Sequence, residues 1–199
     1  VSELYERKPE YWSEDLSDRD FEQAVMAALG AMGWKYQDNT AAFEHPDLYL
    51  LSKVRGKQMR TALELKDKRQ PYRERWAELA GLPETELLVV DEVSLRKLLG
   101  HAPRALLLFW DRTRPDRPYV LFTIIDLFCV PKRRVQRKIR LNSDRLKAKW
   151  LLDARHGFSF TDLSHVFAAI GNYLAQDLHA DLLRLEAHGS FVDETVETL

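Results

Sequence analysis

Residues 45–66 read HPDLYLLSKVRGKQMRTALELK, and two extended segments lie within them. The first begins at Pro46-Asp47 and runs through Leu48, Tyr49, Leu50 and Leu51. The second is RTALELK, residues 60–66. Gly56 stands between them in a charged link, KVRGKQ, of the kind that closes a hairpin. Side chains along a strand alternate between its two faces. Thr61, Leu63 and Leu65 therefore share one face, and Ala62, Glu64 and Lys66 share the other. Glu64 and Lys66 stand side by side, roughly 7 Å apart along the strand. Asp47 can reach the same place from the neighbouring strand. Two carboxylates and one ammonium converging at a sheet edge suit a hard, oxygen-seeking cation. Mg²⁺ is usually held by one or two carboxylates, with substrate phosphate and water completing the shell.

Working outward, residues 17–33 have a helical period: Phe21, Ala24, Val25, Ala28, Leu29 and Met32 form an apolar stripe. Ser17 with Asp20 has the form of an N-cap, and Gly33 ends the segment. Asp18, Asp20 and Glu22 suit the positive end of the helix dipole. Glu22 also lies at the edge of the stripe, from which it can lean toward Asp47 and Glu64. Residues 34–39 are expected as a first strand, 73–80 and 93–99 as short helices, and 86–90 as a buried strand of a mixed or parallel sheet. Residues 105–110 and 119–125 form two more strands joined by a polar loop.

Pro46-Asp47 followed by Glu64-Leu65-Lys66 resembles the PD-(D/E)xK nuclease superfamily, which includes restriction endonucleases, Holliday-junction resolvases and RecB-type nucleases. The order acidic helix, Asp strand, Glu-x-Lys strand, helix matches as well, and the resemblance covers residues 17–91. Glu6-Arg7-Lys8 repeats the tripeptide without a strand or a preceding Pro-Asp, so context and not the tripeptide carries the resemblance. It implies an α/β fold with a restriction-endonuclease-like core: a central mixed sheet flanked by helices. It also implies that Asp47 and Glu64 hold one or two Mg²⁺ ions, with Mn²⁺ able to substitute, and that the Leu65 carbonyl is a further ligand. Glu22 is the helical acid, and Lys66 orients or deprotonates the attacking water or stabilises the pentavalent phosphorus. The implied activity is Mg²⁺-dependent endonucleolytic cleavage of DNA in restriction, defence, recombination or repair. A nuclease-fold module without catalysis, binding nucleic acid or a partner protein, is the alternative. Gln70 and Tyr72 are too close together for the Gln-x-x-x-Tyr pattern of RecB-like exonucleases.

The 199 residues carry 31 % charged side chains and a net charge of −1, which does not by itself suggest nucleic acid. The distribution is more informative. One basic block, containing Lys53, Arg55, Lys57, Lys68, Arg69 and Arg73, surrounds the expected site. A second runs from Lys132, Arg133 and Arg134 to Lys147 and Lys149, as a backbone-contacting surface or a solvated loop. Both are expected to meet DNA phosphates. A lone Cys129 in an apolar run is expected to be buried and inert, and it suits a reducing cytoplasm. The first twenty residues lack the apolar stretch of a secretory leader, and no run is long enough for a membrane helix.

The six histidines show no metal-ligand spacing, and no nucleophile elbow, phosphate loop or dinucleotide fingerprint occurs. Thr161 is expected to cap a long C-terminal helix whose apolar positions run from Leu163 to Leu185. That face is broad enough to cover the sheet or to pair with a second copy of the chain. Residues 1–16 are expected as a docking arm, 17–188 as one domain and 189–199 as a frayed acidic tail.

Overall fold

The computed structural model describes residues 19–42, 44–54, 56–138, 146–176 and 191–197. The expected arm and the Ser17 cap lie outside them. In chain order the elements are α1 (Asp20–Ala31), β1 (Lys35–Asp38), β2 (Leu48–Val54), β3 (Lys57–Lys68), α2 (Glu74–Ala80), β4 (Leu87–Asp91) and α3 (Glu92–Leu99). Then follow β5 (Ala105–Asp111), β6 (Tyr119–Thr123), α4 (Ile124–Cys129), β7 (Lys132–Lys138), β8 (Leu146–Asp153), β9 (Phe158–Phe160), α5 (Leu163–Leu174) and β10 (Phe191–Glu197).

A six-stranded sheet has the order β1-β2-β3-β5-β6-β9. It is mixed, as expected: β3 and β5 are parallel, and the other neighbours are antiparallel. The period-2 alternation of β3 divides the core. Leu63 and Leu65 join Leu48, Leu50, Leu106 and Leu108 on the face covered by Phe21, Val25 and Leu29 of α1 and by Val166, Phe167 and Ile170 of α5. Ala62, Leu107, Phe109 and Phe122 turn to the other face, where they meet α3, α4 and a second sheet.

That second sheet, of order β10-β7-β8-β4, is where β4 lies, paired antiparallel with β8. The apolar run of β4 is continuous because both of its faces are covered. Leu88 and Val90 meet the central sheet's layer, while Leu87 joins Val135 and Leu151 beneath Tyr72, Trp76 and Leu79. Residues 132–149 were expected as a surface or a loop; most of them instead form the antiparallel pair β7–β8, with Val135 fully buried.

Four local expectations change. Thr123 and Asp126 form a reciprocal capping box that starts α4, so the strand ends at Thr123. Cys129 closes that helix and is exposed, not buried. Asp162, not Thr161, caps α5: its carboxylate accepts the His165 N–H. Leu178, Leu182 and Leu185 lie outside the described residues, whereas the described part of α5 spends its apolar face on the central sheet. In place of a frayed end, Phe191–Glu197 is a strand parallel to β7. Among the described residues no helix is long and apolar enough to cross a membrane.

The β2–β3 hairpin turns at Gly56, whose φ of +79° is left-handed and suits glycine. Gly157, just before β9, is needed for another reason: a Cβ there would lie 2.6 Å from Val120 Cγ1 and 2.8 Å from Phe122 Cζ. Neither neighbour has room to retreat, since both are fully buried. Gly157→Ala is expected to cost about 2 kcal/mol through overpacking, measured as a lower urea midpoint at unchanged m-value.

Candidate functional site

The register Leu48↔Leu63 between β2 and β3 places Asp47, one residue before β2, across from Glu64. Asp47 Oδ2 accepts the Leu65 N–H at 2.7 Å, taking over the ladder where the opposing strand runs out at Pro46. A strand residue in an antiparallel pair turns its N–H and C=O toward the same partner. The Leu65 carbonyl therefore faces the side on which Asp47 stands. Lys66 donates from Nζ to Glu64 Oε1 at 2.7 Å. Glu64 is 1 % exposed and its Oε2, also buried, has no hydrogen-bond partner. Glu22 Oε2 on α1 is likewise buried without a partner.

These groups share one field. Burial, and then the neighbouring Glu64 charge, push the Asp47 carboxyl up to about 6. Burial is also the largest influence on Glu22, whose carboxyl is raised; the Asp67 charge adds to this and the Lys66 ammonium opposes it. For Lys66, burial alone would favour the neutral amine, but Glu64 and Asp47 outweigh it, and the pKa ends above the ordinary lysine value. Lys66 is therefore a fixed ammonium at neutral pH. As an ammonium it can orient and neutralise.

The donor set fits a hard cation. Asp47, Glu64 and the Leu65 carbonyl offer only oxygen, and the orphaned Glu64 Oε2 has lost water without gaining a partner. Among the described residues no cluster of three or more His, Cys, Asp or Glu forms a cage. Two carboxylates with room for phosphate and water is the usual arrangement for Mg²⁺.

The basic residues divide. Lys53 and Lys57 are exposed on the β2–β3 hairpin, and Arg73 is exposed before α2; Arg55 lies outside the described residues. Arg69 pairs with Asp67 at 2.9 Å. Lys68 is only 3 % exposed and unavailable to a phosphate. Its Nζ is 3.2 Å from Asp111 Oδ2 and 3.0 Å from Glu84 Oε1, and it donates to the Glu84 and Leu87 carbonyls. Lys132 donates to the Phe128 and Val130 carbonyls, Arg133 to the Leu79 carbonyl, and Arg134 grips both oxygens of Glu92. These three brace the second sheet against α4, α2 and α3.

Sequence reasoning missed a neighbour of Asp47. The Tyr49 hydroxyl, on the same face of β2, lies 3.1 Å from His101 Nε2, and the exposed His45 ring packs edge-on at 6.3 Å. Only His45-Pro46-Asp47 gave a local hint, because His101 lies beyond α3 in the chain.

The raised Asp47 has a sign. A carboxyl whose folded pKa exceeds its ordinary 3.8 contributes stability below that value and loses it as pH rises through about 6. Asp47→Asn keeps an acceptor for the Leu65 N–H and removes the buried charge. It is expected to stabilise the metal-free protein at pH 7.5 by about 2 kcal/mol, an advantage that disappears below about pH 4. Thermal melts across this range check it, and added Mg²⁺ should raise the wild-type midpoint more than the variant's.

No protein-family model matches the chain, and no curated protein matches it. Solved structures similar to it include the following two. One is Hjc, a Holliday junction resolvase from the archaeal hyperthermophile Archaeoglobus fulgidus: 11 % identity, TM-score 0.38, covering 71 % of this chain and 98 % of that one. The other is D212, a nuclease from a fusselovirus: 9 % identity, TM-score 0.45, covering 85 % of this chain and 99 % of that one.

Proposed function

We propose that this protein is a divalent-metal-dependent endonuclease that hydrolyses DNA phosphodiester bonds. The observation that carries the reading is the half-buried Asp47 facing the buried Glu64, with an orphaned Glu64 oxygen and an ammonium beside it. Buried like charges are costly unless something compensates them. A divalent ion facing a phosphodiester supplies that compensation.

Asp47, Glu64 and the Leu65 carbonyl would hold Mg²⁺ or Mn²⁺. When bound, the ion supplies Lewis acidity toward the scissile phosphate. The chain's own residues do the rest. The Leu65 N–H holds Asp47 in place, so the donor set is organised before any ligand arrives. Lys66 presents its ammonium to the phosphoryl oxygens, where negative charge builds during in-line attack. Glu22, with a raised carboxyl and an unpartnered buried oxygen, is the acceptor available for the proton of the attacking water. The exposed Lys53, Lys57 and Arg73 contact flanking phosphates.

The test is cleavage of supercoiled plasmid with Mg²⁺ or Mn²⁺. Glu64→Ala and Lys66→Ala are each expected to lower the rate by about 100-fold or more, the scale of losing one charged contact to a transition state. Chelator should abolish wild-type nicking. DNA binding with no cleavage in either ion would instead make the chain a nucleic-acid-binding module on a nuclease fold.

A further inference from the structure

β5 ends at Asp111, and the chain there turns back toward β3: the Arg112 N–H donates to the Lys68 carbonyl at 2.9 Å. The Arg112 guanidinium is held from two directions. Its Cζ lies 3.9 Å over the centroid of the Trp110 ring, a separation that suits flat stacking. Its Nε and Nη2 fork onto the two oxygens of Asp67 at 3.0 and 2.8 Å. Trp110 is itself backed by aromatic rings, with Phe21 at 5.6 Å and Tyr119 stacked at 6.1 Å. The chain ties this stack to the proposed site on two sides. Asp67 follows Lys66 on β3, and Phe21 precedes Glu22 on α1. Asp67 pairs with Trp110 across β3 and β5, on the face under α1, so the stack lies round the strand from Glu64 and Lys66.

Trp110 covers one face of the guanidinium and Asp67 takes its Nε–Nη2 edge, yet the Arg112 side chain is still 29 % exposed. A planar cation already fixed in place loses little freedom when a ligand arrives. The charges decide which ligand suits it. Asp67 neutralises the guanidinium, and the exposed Asp20 stands 3.9 Å from Nη2. A phosphate would meet those carboxylates. The uncharged face of a nucleobase would not, and its π-electrons are attracted to the guanidinium plane. Splayed bases stack on arginine planes in this way. In an uninterrupted duplex each base is stacked on both faces, so only an unpaired base can reach the platform.

We propose that Arg112, stacked on Trp110 and forked onto Asp67, is a platform for an unpaired nucleobase beside the cleaved bond, so that the preferred substrate is DNA with locally unpaired nucleotides. The inference rests on the nuclease reading and names the substrate class of that site. Asp67 holds the guanidinium in plane, Trp110 supports it from beneath, and the base closes the stack from outside.

The test is equilibrium binding in chelator, where no cleavage occurs, to three labelled DNAs. One is an uninterrupted duplex. The second carries a run of unpaired thymines in one strand, and the third keeps the sugar-phosphates of that run but lacks its bases. The wild type is expected to bind the thymine probe about 10-fold tighter than either of the others, the scale of one base stack. Arg112→Ala is expected to bind the thymine and base-less probes equally. Arg112→Lys keeps a cation for Asp67 but can neither fork nor lie flat, and is expected to lose the same preference. A damaged fold would weaken both probes alike, so the ratio reads the stack alone. The proposal is overturned if the wild type binds DNA without preferring the thymine probe, or if either variant keeps the wild-type ratio. A wild type that binds none of the three would instead remove the nuclease reading, and this proposal with it.

Discussion

The hydrogen bond from the Leu65 N–H to Asp47 Oδ2 ties the site to the sheet. It forms in the register that pairs Leu48 with Leu63. A slip of one residue would send every side chain of β3 to the opposite face. Glu64 and Lys66 would then enter the leucine layer under α1, and Leu63 and Leu65 would leave it. The burial that holds the fold and the alignment of the acidic pair are thus one constraint.

Two groups of buried charge lie on the same strand and are treated differently. Lys68 is surrounded by Asp111, Glu84 and two carbonyls, and it ties the end of β3 to β5 and to the turn before β4. Its charge is fully compensated, which suits a structural tie. Two steps along the same face, Glu64 keeps an orphaned oxygen, and beside it Asp47 resists ionisation. Uncompensated charge in a packed protein costs free energy that the leucine layers must offset, and such imbalance is commoner at functional sites than elsewhere.

The site was legible where one strand's geometry suffices. Alternation put Glu64 beside Lys66, and the preceding Pro-Asp supplied the second carboxylate. Charge runs were a poorer guide. Lys68 belongs to a basic run, yet it has the parity of Glu64 and Lys66 and lies under β4's turn, so burial follows from its neighbours. Lys132, Arg133 and Arg134 form another such run, and each spends donors on the structure. Cys129 was misplaced for a local reason: Thr123 and Asp126 have the spacing of a capping box inside an apolar run that also suits a strand.

By itself the sequence determined which side chains share a face of each strand and helix, because covalent geometry sets those periods. The leucine layers, the Glu64–Lys66 adjacency and the approach of Asp47 follow from it. Only the tertiary structure decided which charges find partners. Asp91 with Lys147 and Lys149, Lys68 with Asp111, and Tyr49 with His101 join residues far apart in the chain. The protonation of Asp47 and Lys66 depends on the same thing, since burial and the distance between charges exist only once the layers have packed.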